Sequence, residues 1–409
     1  MNKISTKKLK KRKLFKLLVS CGFGIVILLT AAILWLYLRP KEPDFGLLAE
    51  KQDYSWREYG HARPYTPSAA GVTKVWPAES SVPQLHDGLK ILKRINLRAE
   101  QPLRGLRVIL DAGHGGSDPG TVWPQKGKHE FEEKEAALLL AEQIKLKLQA
   151  AGTKVVTLRD RDEFVSVYNR SATAGRYILN EYLQGQADEQ VAPKQGLART
   201  LTEAERRTLG DIDSALQEII AKNKDSFGGI LGGIGATPQA EMLMDIEKQF
   251  VDVVYLSVHV NSSAHSDVGG TQVYLLRSPT LFAAQNILPY EGSEFSETYL
   301  PDAKAVPFYP LYLKYDDEAR LRLARGLYTA VARTAPEMRT NIAKSVLEEN
   351  FAVIRTCNLP GVLFETGFIT NERDRKFLWS KTGRDKLATA VVDGLKTYVE
   401  LMQKFAKHP

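Results

Sequence analysis

From residue 105 onward, short unbroken apolar runs alternate with longer stretches of helical period. Val108, Ile109 and Leu110 make a run of strand length, and Gly113, Gly115 and Gly116 stop it. Residues 133–151 then carry Ala137, Leu138, Ala141, Ile144 and Leu148 at helical spacing, ending at Ala151-Gly152. The same reading predicts a strand at 154–158 and a helix beginning within 164–174. It places strands at 252–260 and 270–276 as neighbours, then an amphipathic helix at 317–334. Strands at 351–355 and 361–364 follow, and a helix at 381–404 closes the chain. Such alternation predicts an α/β sandwich around one sheet.

Two stretches break the pattern. Residues 175–250 are mostly polar and helical, with a glycine-rich loop at 227–235. No Lys-Ser pair follows that loop and no strand precedes it, so it is no phosphate cradle. It reads as an insertion with a flexible apolar hinge. Residues 39–104 carry scattered prolines and no sustained period, as a spacer does, with some local structure at 85–95.

Ahead of the spacer, residues 17–38 contain no charge. As a helix they reach about 33 Å, enough to cross a bilayer. Trp35 and Tyr37 close the run, as interfacial aromatics do. A signal peptide is the rival reading, but no small-x-small cleavage site follows. The expectation is an uncleaved single-pass anchor in the cytoplasmic membrane. The basic tail, residues 1–16, stays in the cytoplasm, and residues 105–405 form an exported folded domain.

Charge supports that division. The formal net charge is +8, and eight basic residues lie before the apolar run with no acid among them. The rest of the chain is formally neutral. A nucleic-acid-binding fold carries its basic excess on the folded part, so nucleic acid is excluded as a partner. Of two cysteines, Cys21 falls inside the apolar run and Cys357 in the soluble part, so no disulfide braces the fold.

Four candidate chemical residues stand at strand ends or a helix start: His114, Glu133, His259 and Glu365. Two histidines, one carboxylate and an open position make a catalytic zinc set, with a further carboxylate as general base and acid. Plainer readings exist. Glu133 lies in an acidic helix start that suits the helix dipole, and His129 stands four residues before it. His259 also suits a satisfied core position. Glu365, closing the run Val362-Leu363-Phe364, is costly to bury without a task.

These stretches resemble the zinc-dependent N-acetylmuramoyl-L-alanine amidases of bacterial cell walls. Residues 108–120 (VILDAGHGGSDPG) are similar to the motif with the first zinc histidine, and 257–262 (SVHVNS) to the second. Residues 133–138 (EKEAAL) are similar to the motif whose leading Glu binds zinc, which selects Glu133 over Glu130, Glu132 and His129. Residues 359–371 (LPGVLFETGFITN) are similar to the motif with the catalytic Glu, here Glu365. Residues 159–170 resemble the family's second strand-to-helix passage.

The resemblance implies a single twisted mixed sheet of about six strands flanked by helices. It implies one Zn2+ on His114, Glu133 and His259. The implied reaction is hydrolysis of the amide between N-acetylmuramic acid and L-alanine in peptidoglycan. A zinc peptidase or a non-catalytic wall-binding scaffold are the alternatives; the intact set of four residues argues against the scaffold. Some family members carry a helix that blocks the site until a protein activator displaces it. That prompts an expectation for 175–250, with Glu241, Asp245 or Glu247 supplying a carboxylate to the open zinc position.

Overall fold

The computed structural model describes residues 82–187, 201–232, 236–278, 312–341 and 345–406. The apolar run at 17–38 lies outside the described residues. Among the described residues, no helix is long and apolar enough to cross a membrane.

Helix α1 (Gly88–Arg94) leads into strand β1 (Arg107–Ala112). A two-stranded hairpin follows, β2 (Val122–Trp123) and β3 (Phe131–Glu132), then α2 (Glu133–Ala150), β4 (Lys154–Thr157) and α3 (Val167–Ala187). Next come α4 (Glu203–Lys222), α5 (Pro238–Glu247), β5 (Val253–Asn261) and β6 (Gln272–Leu275). Helix α6 (Asp317–Thr334), β7 (Val346–Glu348), α7 (Ala352–Arg355), β8 (Gly361–Phe368), α8 (Glu372–Trp379) and α9 (Lys381–Phe405) complete the order.

Six strands form one mixed sheet in the order β4-β1-β5-β8-β6-β7. The first four are mutually parallel. Strand β6 runs antiparallel to β8 and parallel to β7. The expectation that 270–276 pairs directly with 252–260 is therefore corrected, because β8 lies between them.

Alternation along the strands divides the core. Val108, Leu110, Val254, Leu256, Val258, Val362 and Phe364 face one layer with residues of α2, α6 and α9. Ile109, Val253, Tyr255 and Leu363 face the other, with residues of α3, α4 and α5. Both faces are covered, which is why the central strands read as continuous apolar runs.

The expected strand at 351–355 is instead the short helix α7; the edge strand is β7, just upstream. A four-residue apolar run, Phe351 to Ile354, has no period of its own. Burial of Val353 and Ile354 in the second layer decides its conformation. Residues 82–104 pack on the domain rather than leave it. Leu92 and Leu103 are fully buried. The His86 ring stacks on Phe250 with centroids 3.8 Å apart. His86 also meets Asp252, which pairs with Arg107 at 2.6 Å.

The described residues within 175–250 supply much of the second helical layer. Helix α3 runs through residue 175 without a break, and α5 packs against α3 and α4 in the apolar cluster that includes Ile109, Val253 and Tyr255 of the sheet. Helix α4 opens with a capping box between Thr202 and Glu205 and buries Leu209, Ile212, Leu216 and Ile219.

Candidate metal centre and active site

Strand β1 ends in a turn whose conformation a side chain rarely tolerates. His114 has φ of 60°, in the left-handed region. Two buried arginines tie that turn in place. Arg159 donates to the carbonyls of Ala112 and Gly113, each at 2.9 Å. Arg170 pairs with Asp111 and donates to the carbonyls of Ala112 at 2.7 Å and His114 at 2.6 Å. Ser257 donates to the other Asp111 oxygen at 2.7 Å. The strand end is thus held by charge-assisted bonds to backbone oxygens, which offset the strained backbone.

The turn delivers His114 to Glu133, the first residue of α2. His114 Nε2 lies 3.2 Å from Glu133 Oε2, and His259 Nδ1 lies 2.9 Å from Glu133 Oε1. The two imidazole rings meet edge to face with centroids 4.9 Å apart. One ligand atom from each of the three residues falls within 4.8 Å of the others. Glycine makes the approach close: a Cβ at Gly113 would stand 2.3 Å from His259 Cε1. One at Gly120 would stand 2.6 Å from Glu133 Oε2.

Around the three residues stands a supporting set. Asp118 Oδ2 lies 2.7 Å from His114 Nδ1, which leaves Nε2 to face the cluster. Glu133 accepts from the backbone N–H groups of Thr121 and Val260, both at 2.9 Å. The Thr121 hydroxyl donates to the Val260 carbonyl at 3.0 Å. Asp118 and Thr121 escaped sequence reasoning. Their only signal is position, within a few residues of His114 in a glycine-rich turn.

Electrostatics follow from the crowding. Burial pulls the His114 imidazole down, but the Glu133 and Asp118 carboxylates outweigh it and raise it to about 9. Burial pushes Glu133 up, but bonds from His114 and His259 hold it well below the usual carboxylate range. A group of two imidazoles on one shared carboxylate is a donor set that a divalent cation takes over readily.

Glu365 occupies the next strand. Residues 259 and 365 are register partners on β5 and β8, so the two side chains stand side by side. A bulge follows at once, with the Thr366 hydroxyl donating to the His259 carbonyl at 2.8 Å. Glu365 is 9% exposed, and its Oε2 is buried without a hydrogen-bond partner among the described residues. Burial, with the Glu133 charge added, pushes its carboxyl well above the usual range. An orphaned acid beside a metal-type cluster is a functional signature rather than a packing one.

All four residues expected from the sequence therefore meet at the carboxyl edge of the central strands. His129 stays apart, its ring at 3.0 Å from the Pro124 carbonyl. The α5 carboxylates do not join the cluster. Glu241 and Asp245 bind Lys314, and Asp245 also accepts from Tyr312. Glu247 accepts from the Asn358 N–H, before β8 begins. The run from 361 to 365 alone spans about 13 Å, so Glu247 serves the opposite end of that strand. The expected carboxylate donor to an open zinc position is corrected accordingly.

The carboxyl edge of a six-stranded mixed sheet, carrying a His-Glu-His cluster with a buried acid beside it, defines the class of site. The chain belongs to the N-acetylmuramoyl-L-alanine amidase family, which matches residues 108–184 and 235–397, more than half of the chain. The unmatched interval between them contains α4 and the glycine turn. N-acetylmuramoyl-L-alanine amidase AmiC of Neisseria meningitidis is 24% identical over 304 residues, 73% of this chain and 55% of that protein. N-acetylmuramoyl-L-alanine amidase AmiA of Escherichia coli is 22% identical over 291 residues, 71% of this chain and 75% of that protein. The chain therefore spans about half the length of the first relative. The catalytic domain of CwlV from Bacillus (Paenibacillus) polymyxa var. colistinus is 18% identical, covering 72% of this chain and 98% of that one with a TM-score of 0.40.

Proposed function

We propose that the chain is a zinc-dependent peptidoglycan hydrolase cleaving the amide between N-acetylmuramic acid and L-alanine of the stem peptide. The observation that carries it is the union of His114, Glu133 and His259 within 4.8 Å, with the unpartnered Glu365 as register neighbour of His259. The donor set fits zinc: two imidazole nitrogens and one carboxylate are the protein's share of a four-coordinate catalytic site. Zinc bound there supplies an acidified water and a polarised scissile carbonyl at neutral pH.

The protein's own residues do the rest. Asp118 holds the His114 tautomer through Nδ1, and the Thr121 and Val260 N–H groups orient Glu133. Glu365 takes the proton of the attacking water on its carboxylate and returns it to the departing L-alanine nitrogen. A cation at the cluster favours the ionised form of Glu365, opposing the burial that favours the neutral one.

Purified zinc-loaded protein should release peptides with a free L-alanine amino terminus from isolated cell walls. Release of internally cut peptides with the lactyl amide intact would favour a peptidase instead. We further propose that residues 17–38 anchor the domain on the outer side of the cytoplasmic membrane. The support is the uncharged run and the basic tail before it. A reporter fused after Pro409 should then be active outside the cytoplasm; activity inside would overturn this.

A further inference from the structure

Beside the metal cluster, the β2–β3 hairpin and helix α8 bring together Trp123, Phe131, Arg375 and Trp379. Trp123 lies two residues past Thr121, which bonds Glu133, and Phe131 lies two residues before Glu133. All four side chains are half-buried. Phe131 and Trp379 meet edge to face with centroids 4.8 Å apart. The guanidinium carbon of Arg375 stands 4.5 Å from the Trp123 ring centre and 5.8 Å from that of Phe131.

Arg375 is held but not neutralised. Its Nη1 donates to the Ile369 carbonyl at 2.6 Å, and this is its only side-chain hydrogen bond among the described residues. It makes no ion pair among them. The Ile369 N–H in turn bonds the Asn261 carbonyl, two residues past His259, so the anchor point belongs to the metal-site edge. Of the two acids that act on it at longer range, Glu372 is taken by Lys376 at 2.6 Å, and Glu130 is exposed. The neighbouring Arg373 differs, being paired with Asp374 at 2.9 Å.

A guanidinium with one face on aromatic rings and one nitrogen on a carbonyl leaves its Nε–Nη2 edge to offer. That edge matches a carboxylate with two parallel hydrogen bonds. Because the rings and the Ile369 carbonyl already fix the side chain, little rotamer entropy is lost on binding. An aromatic ledge alone would suit a sugar ring. The unpaired cation selects the other half of the substrate, because the glycan side of the scissile amide is neutral and the peptide side carries free carboxylates.

We infer that Arg375, held on the Trp123–Phe131 ledge, is the subsite for a carboxylate of the stem peptide. The inference rests on the amidase reading above.

The test uses zinc-loaded full-length protein, a soluble muropeptide, and its counterpart amidated at every peptide carboxylate. The wild type should show a KM about tenfold lower for the acid form, as loss of a charged hydrogen-bonded contact implies. Arg375→Gln should raise KM for the acid form to that of the amide, with kcat and zinc content unchanged. Arg375→Lys, which keeps the charge without the fork, should give an intermediate preference, and it serves if the Gln variant does not fold. Equal KM values for the two substrates with the wild type would overturn the subsite alone. So would an Arg375→Gln variant that keeps the wild-type preference. Failure of the wild type to cut either muropeptide or isolated walls would overturn the amidase reading and the subsite with it.

Discussion

Glu365 and Glu133 are both buried acids within one site, yet their surroundings push them in opposite directions. Glu133 is crossed by two imidazoles and two backbone N–H groups, so its charge is stabilised. Glu365 has an orphaned oxygen and a negative neighbour, so its neutral form is favoured. That separation is what the proposed roles require, ligand for Glu133 and proton carrier for Glu365. Replacing Glu365 with Gln keeps shape and volume but removes the proton acceptor. Turnover should fall by about 10²–10⁴ while bound zinc, measured by elemental analysis, stays near one per chain. Activity within a few-fold of wild type would transfer the role to another group. Arg159 and Arg170 work one step further out. They hold the carbonyls of residues 112–114, and through them the left-handed His114 backbone.

At the scale of elements, strands carry the site and helices α3, α4 and α5 carry the sheet's second face. Helix α5 also buries a charge problem. Glu247 is fully buried, accepts one N–H from Asn358, and leaves Oε1 unpaired among the described residues. Burial raises its carboxyl to about 8, against the Asn358 N–H and the Arg320 charge, which act downward. Unfolded, a glutamate titrates near ~4.3. Between these values the folded protein keeps a proton that the unfolded chain has lost, so stability must fall as pH rises through that window. Denaturant midpoints measured from pH 5 to 8 should decline for the wild type. Glu247→Gln, neutral throughout, should flatten the slope. An unchanged slope in the variant would place the linkage elsewhere.

Taken whole, the molecule gathers its candidate metal ligands from three places: the turn after β1, the start of α2 and the end of β5. These are far apart in sequence but adjacent in the sheet. A metal bound there ties them together and is absent from the unfolded chain, so its binding energy adds to folding. Chelation should therefore lower the thermal midpoint, and restored zinc should raise it again. His259→Ala should lower the midpoint of the zinc-treated protein and abolish the response to chelator. A midpoint indifferent to chelation in the wild type would contradict a metal at this cluster.

The sequence alone singled out His114 and Glu365 from short local contexts that need no partner to be read, whereas Glu133 stood out from Glu130, Glu132 and His129 only through the family resemblance. A strand that breaks into glycines at His114, and a carboxylate ending an apolar run at Glu365, are visible along the chain itself. It also determined the alternation of strand and helix, since both periods are local. Tertiary structure decided what depends on neighbours distant in the chain. Residues 351–355 became α7 rather than a strand because Val353 and Ile354 found a helical layer to fill. Strand β8 entered between β5 and β6 because its two apolar faces need cover on both sides. Asp118 and Thr121 acquired their roles only when the turn folded over Glu133. Glu247 could pass for a zinc ligand from its place in the chain, just before the strand that delivers His259. Its place at the far end of β8 was set by α5, which buries Leu243 and Ile246 in the second layer and brings Glu247 to the Asn358 N–H.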